Sequence, residues 1–206
     1  MCVSLSFLCL DKPIELTILC IQTYEREAGK NWDEFYGRHN NKFFKDRQWL
    51  YTEFPELFQI SQERVEKKDA LRVLEMGCGV GNTVFPLLQT NPHCYVYACD
   101  ISQTAVGILR EHERYNQKRC TGFVCDISNP EHDIPIEEGS LDVITMIFVL
   151  SAVQPAKFHI ALDRAARLLK PGSGLLLFRD YGEYDMSQLR FKRGKFAGEY
   201  MCPSCF

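Results

Sequence analysis

Leu71-Arg-Val-Leu-Glu-Met-Gly-Cys-Gly-Val-Gly-Asn82 is the stretch on which the fold turns. Residues 71–76 are a short, largely apolar run, and Gly77, Gly79 and Gly81 follow at alternate positions. Glycines there permit positive φ and let a ligand approach the backbone. A buried strand that feeds such a turn and then a helix is the opening unit of an α/β sheet. The unit repeats downstream. A helical stretch over 82–89 stops at the turn signal Asn91-Pro92, and residues 94–100 (CYVYACD) read as a second strand. Ser102 caps a helix predicted to reach about Asn116. Residues 121–126 (TGFVCD) form a third strand, and a polar loop spans 127–139. Residues 141–149 (LDVITMIFV) are continuously apolar, as suits the centre of a parallel sheet. Pro155 opens a helix through Leu169, stopped by Lys170-Pro171-Gly172, and residues 175–180 (LLLFRD) form a fifth strand. The alternation predicts a doubly wound α/β sheet.

Upstream the composition changes. Trp32 to Phe58 holds nine of the chain's 25 aromatics, including both tryptophans. Trp32, Phe35 and Tyr36 share one helical face by their spacing. Such a helix packs on the core; mixed with Lys45, Asp46 and Arg47, the aromatics also suit a lid over a ligand or a surface that stacks bases. Glu56 to Asp69 reads as a charged, solvated connector.

The acids narrow the ligand. A nicotinamide or flavin fingerprint is G-x-G-x-x-G, and here Asn82 stands where its last glycine belongs. The E-x-G-x-G-x-G form, from Glu75, resembles motif I of the class I S-adenosylmethionine-dependent methyltransferases. That ligand has no phosphate, so the loop lies against its methionine part. Asp100 ends strand two, where a carboxylate can accept from both ribose hydroxyls in either kind of site. Asp126 ends strand three with Ile127 behind it, a place that resembles the methyltransferase adenine site. Each acid alone could equally cap a helix or solvate a strand end. Together they lie in order at the carboxyl edge of the sheet, where open α/β sheets bind ligands.

The wording of the motifs carries a closer resemblance. KNWDEFY (30–36), FFKDRQWLYTEFPEL (43–57), EMGCGVGNTVFPLLQTN (75–91), MIFVLSAV (146–153), RLLKPG (167–172) and LLFRDYGEYDMSQLRFKRG (176–194) resemble the eukaryotic tRNA N3-methylcytidine methyltransferases. TEFPEL and GNTVFPLLQTN are most similar to the branch that modifies threonine and certain arginine tRNAs. The resemblance covers about residues 24–194. It implies a Rossmann-like class I fold under an N-terminal aromatic helical lid, with S-adenosylmethionine held by Trp32, Tyr36, Gly77, Gly79, Gly81, Asp100, Asp126, Ile127 and Ile147. It also implies a tRNA substrate and a protein partner for tRNA selection.

Cytosine N3 has a free lone pair at neutral pH, so its methylation needs no strong base. The task is to unpair the base and hold N3 in line with the methyl. Asp180, ending strand five, is the candidate to accept from the exocyclic amino group; a salt bridge with Arg179 or a turn cap is the equal alternative. Phe43, Phe44 and Tyr181 could stack on the base. Lys45, Arg47, Arg179, Arg190, Lys192, Arg193 and Lys195 could meet RNA, although surface basic residues are more often simply solvated.

The rest of the sequence sets bounds. The 206 residues suit one domain. Twenty-four basic against 27 acidic residues give a net charge of −3, which excludes gripping nucleic acid by bulk charge alone. Cys94, Cys99, Cys120 and Cys125 read as small buried hydrophobes, and a reducing, cytoplasmic compartment is expected. Cys202 and Cys205 have CxxC spacing but no second pair, and the five histidines have no ligand spacing, so no metal is expected. His112 reads as a surface residue. Residues 1–10 are apolar without a basic lead-in, and no run is long enough to span a membrane. The expected division is 1–23 unassigned, 24–69 lid and connector, 70–195 methyltransferase core and 196–206 a divergent tail. The core so read lacks its last two strands, which raises a second possibility: a catalytically impaired fragment that binds only cofactor or a partner.

Overall fold

The computed structural model describes residue 23 and residues 25–57 and 70–182. Five parallel strands form one sheet in the order β3-β2-β1-β4-β5: β1 (Leu71–Met76), β2 (Cys94–Asp100), β3 (Cys120–Val124), β4 (Val143–Ile147) and β5 (Leu175–Arg179). Among the described residues the helices are α1 (Ala28–His39), the short α2 (Leu50–Glu53), α3 (Val84–Thr90), α4 (Gln103–Glu111) and α5 (Phe158–Leu168). Parallel strands need covered faces, and the side-chain alternation supplies them. On β1, Leu71 and Val73 join Val84, Leu87 and Leu109 in one core cluster, and Leu74 and Met76 join Ala161, Ala165 and Leu168 in the other. By the same period, Glu75 points with Leu71 and Val73.

Several boundaries fall inside the expected ones. α4 ends at Glu111, well before Asn116, because His112 leaves the helix with ψ 137° and its Nδ1 accepts from the Arg114 N–H. Such local bonding competes with helix propagation. His112 is half-buried and stacks on Phe85 at 4.1 Å, so it is not a simple surface residue. Pro155–Lys157 form a 3-10 turn ahead of α5. β3 and β5 are the two edges of the sheet among the described residues, with Val124 and Phe178 exposed on them. β1 lies between strands reached in opposite directions along the sheet, so ligands are directed to the carboxyl ends of β1 and β4.

Candidate active site

A cavity of about 310 Å³ opens at that edge. Its floor is the turn after β1. Gly77 takes φ +69°, and a Cβ there would overlap Val149. Gly79 takes φ +51°, and a Cβ would lie 2.6 Å from the Tyr36 hydroxyl. Gly81, expected beside the ligand, does not line the cavity. A Cβ on it would strike Phe85 and Leu109, so it serves the packing of α3 and α4.

Asp100 is buried at the tip of β2. Its Oδ2 accepts from the Gly79 N–H at 2.7 Å and its Oδ1 from the Ser102 N–H at 2.9 Å. Burial raises its pKa, and these two N–H groups oppose the rise. Asp126 uses Oδ1 to accept from the Ser128 N–H and hydroxyl, at 2.8 and 2.7 Å. Both acids line the cavity with Ile127 and Ile147.

α1 closes one side. Ser102 caps α4 by accepting from the Ala105 N–H, and its hydroxyl donates to Asp33 of α1 at 2.6 Å. The Asp33 carboxylate also accepts from the Thr104 N–H, so α1 is pinned to the first turn of α4. Trp32 and Tyr36 then face the cavity, with Phe35 buried beside them. Burial pushes the Tyr36 phenol well above its usual range, and Asp100 adds to the shift. A second tie lies at the rim, where Lys157 meets Glu25 at 2.9 Å.

The lining also includes Phe44, Lys45, Arg47, Trp49, Phe148 and Tyr181. Arg47, expected at an RNA phosphate, turns inward instead. Its Nη1 donates to Thr83 Oγ1 at 3.0 Å and the Ile147 carbonyl at 3.3 Å, and lies 3.7 Å from Glu75 Oε1. Glu75 is wholly buried; its burial lifts the pKa to about 7, with Arg47 opposing. Neither its oxygens nor the hydroxyl of Thr145, its register partner on β4, has a hydrogen-bond partner among the described residues.

Asp180 is occupied as well. Oδ2 accepts from the Val149 and Ser151 N–H groups at 3.1 and 3.0 Å, and Oδ1 from the Tyr181 N–H at 2.9 Å. These bonds cap the turn after β4, the alternative role, and Asp180 is not among the residues that line the cavity. Arg179 pairs with Glu53 at 2.6 Å over the Trp49 ring, not with Asp180, and does not line the cavity. Phe43 packs on Phe35 and Phe44 outside the cavity, 40% exposed. Arg190, Lys192, Arg193 and Lys195 lie outside the described residues. Among the described residues no three His, Cys, Asp or Glu side chains stand together as a metal set, and no helix is long and apolar enough to cross a membrane.

A family described as "Methyltransferase domain" matches residues 74–175. The tRNA N(3)-cytidine methyltransferase METTL2 of Xenopus tropicalis is 46% identical over 209 residues, covering 86% of this chain and 62% of that protein. The tRNA N(3)-methylcytidine methyltransferase Mettl2 of Drosophila melanogaster is 50% identical over 176 residues, covering 84% of this chain and 54% of that one. This chain is similar to these tRNA N(3)-cytidine methyltransferases over most of its own length and spans roughly three fifths of theirs. Among solved structures, phosphoethanolamine N-methyltransferase 1 of Haemonchus contortus aligns with a TM-score of 0.56 at 15% identity, covering 88% of this chain and 36% of that one. That likeness shows the class I methyltransferase fold.

Against the family motifs, three residues stand out that reading the sequence did not assign. Glu75 heads the glycine motif, Asp33 anchors the lid, and Phe148 directly follows β4. Glu75 carried a signal as the head of the glycine motif, and Phe148 as an aromatic near the end of the apolar run 141–149.

Proposed function

We propose that this chain binds S-adenosylmethionine and methylates N3 of a cytidine in the anticodon loop of a tRNA of the threonine or arginine type. The observation that carries the reading is one cavity lined both by Asp100, Asp126 and the glycine turn and by aromatic and basic side chains. The residues fit the cofactor: the two carboxylates can accept from ribose and adenine, and the Gly77–Gly79 backbone lines the cavity where the methionine part would lie. When bound, the sulfonium supplies an electrophilic methyl. The protein's own contribution is placement. Trp32 and Tyr36 cover the site and exclude water, and the aromatic wall holds the base so that its N3 lone pair faces the methyl. With a net charge of −3, tRNA selection relies on a protein partner, and the five described cysteines, all free, accord with a cytoplasmic location.

Methyl transfer to purified threonine tRNA, read as primer-extension arrest at the cytidine, tests this. Arrest at the cytidine, much weaker than with a full-length relative, is the expected result, and robust turnover would remove the fragment reading. A second reading, a fragment that binds cofactor or a partner without turnover, rests on the chain's spanning 54–62% of those relatives. Cofactor binding without any arrest would establish it in place of the first.

A further inference from the structure

The buried face of α5 carries a charge. Ala161, Ala165 and Leu168 are apolar there, and Arg164 lies among them, 6% exposed. Among the described residues its hydrogen bonds go to neutral groups. Nη1 donates to the Asp126 carbonyl at 3.3 Å and to the Asn129 carbonyl, and Nη2 to the His132 carbonyl and, at 3.7 Å, to the Cys125 sulfur. A buried charge without a counter-ion is costly, and an apolar residue of similar size often serves a packed face as well. What the guanidinium holds accounts for it better than the packing of α5.

The held segment is the loop after β3, which has neither helix nor strand over residues 125–132. Its own bonds make two turns end to end. The Asn129 N–H donates to the Asp126 carbonyl and the His132 N–H to the Asn129 carbonyl, each at 3.2 Å. The corner carbonyls of these turns, on residues 126, 129 and 132, are those that Arg164 takes. A guanidinium is a rigid planar fork, so it fixes the spacing of the corners as well as their distance. One more bond closes the loop, from the Asp126 N–H to His132 Nδ1 at 3.0 Å. Residues 125–128 line the cavity. Ser128 takes Oδ1 of Asp126, while Oδ2 accepts from no described residue and the Ile127 N–H donates to none. The loop thus keeps one acceptor and, one residue on, one donor for a ligand.

We propose that Arg164 is the positioning residue for adenine in this site, holding residues 125–132 so that the Asp126 carboxylate and the Ile127 N–H meet the base together. This rests on the cofactor reading above and deepens it. Arg164 does not line the cavity, so it acts only through the loop. Its effect is on specificity. Adenine offers an amino donor at position 6 beside a ring-nitrogen acceptor, the complement of Asp126 and Ile127. A 6-oxo purine offers an acceptor beside a ring N–H and mismatches at both points. The discrimination lasts only while the loop keeps the two groups in register.

The test measures, by calorimetry on the full chain, affinity for S-adenosylhomocysteine and for S-inosylhomocysteine, its 6-oxo counterpart. The wild type should prefer the first by about 10- to 150-fold, the range of one hydrogen bond to a charged group. Arg164→Lys keeps the charge, but a point charge cannot span the corner carbonyls, and Arg164→Met keeps an extended chain without charge. Each should cut the preference by about tenfold or remove it. Arg167→Met, on an exposed side chain of the same helix, should leave it unchanged. A merely structural Arg164 would lower the melting temperature and weaken both ligands alike. An unchanged ratio in the Arg164 variants therefore overturns the proposal. Should neither variant fold, His132→Phe takes over the test, because this exposed residue gives the same loop its bond to the Asp126 N–H. A reduced ratio supports the proposal, and an unchanged one overturns it. A wild-type chain that binds neither ligand overturns the cofactor reading and this one with it. Binding of both with equal affinity overturns this one alone.

Discussion

Replacing Gly77 by Ala isolates how tightly the cofactor turn is built. The substitution meets two separate costs. At φ +69° an L-residue is disfavoured by about 1–2 kcal/mol. The new methyl would also overlap one γ-methyl of Val149 and lie 2.9 Å from the other and 3.3 Å from its Cβ. Val is β-branched, so turning χ1 brings one methyl in as it takes the other away. Overpacking of this kind costs about 1–3 kcal/mol. Gly77→Ala should therefore destabilise the fold by about 2–5 kcal/mol, a large part of the 5–15 kcal/mol typical of a domain. Two other glycines separate the terms. Gly172, at φ +72° with nothing within 4 Å, carries the backbone term alone. Gly174 has no positive φ, but a Cβ would lie 2.8 Å from Leu169 Cβ and the Lys170 nitrogen, so it carries the steric term alone. Urea unfolding of the three alanine variants should rank Gly77 as the most destabilised. If Gly77→Ala falls within about 0.5 kcal/mol of Gly172→Ala, the contact with Val149 costs nothing and the reasoning fails.

Asp100→Ala should abolish cofactor binding in calorimetry and also lower stability by about 1–3 kcal/mol for each buried N–H it leaves unpaired, those of Gly79 and Ser102; unchanged cofactor affinity would remove Asp100 from the site. Glu75 in the folded chain keeps its proton to about pH 7, against 4.5 when unfolded. The folded state thus binds more protons between those values, so this group's contribution to stability falls as pH rises from 4.5 to 7 and is level above. Glu75→Gln should gain on the wild type over that window by on the order of 3 kcal/mol, and parallel unfolding curves across the window would refute the shift. Ser102→Ala removes both a helix cap and the hydroxyl that holds Asp33, and should cost about 1–2 kcal/mol in urea unfolding; an effect below a few tenths would mean that α1 is held elsewhere.

The sheet was legible because burial on both faces leaves its mark on every residue. A run as apolar as 141–149, bounded by turn residues, suits little besides a covered central strand. The Gly77 turn and the acids Asp100 and Asp126 were legible for a related reason: strand ends at one sheet edge converge whatever the detail of the loops. Arg47 was not. Its neighbours in sequence are polar, and nothing local says that its guanidinium crosses to Glu75, 28 positions on. Asp180 was half legible. Its place at the edge was right, but a carboxylate at a strand end serves a base or the next turn according to which N–H groups arrive, and that depends on the path of β4. α4 ran short because the His112 ring accepts from the Arg114 N–H, a local bond that the helical pattern of the sequence does not show.

The five thiols of Cys78, Cys94, Cys99, Cys120 and Cys125 are all free and buried. Burial lifts every one above the ordinary range of a cysteine. In the native state they are poor nucleophiles, and an alkylating reagent must wait for the backbone to open. All five lie on β2, on β3 or in the segments that follow β1 and β3, and neither β4 nor β5 contains one. Peptide-resolved alkylation therefore times the opening of one side of the sheet alone, the side that carries the two cavity carboxylates. Cys78 and Cys125 line the cavity itself. Their clocks should slow when a ligand occupies it, giving an occupancy readout that needs neither a mutation nor a dye.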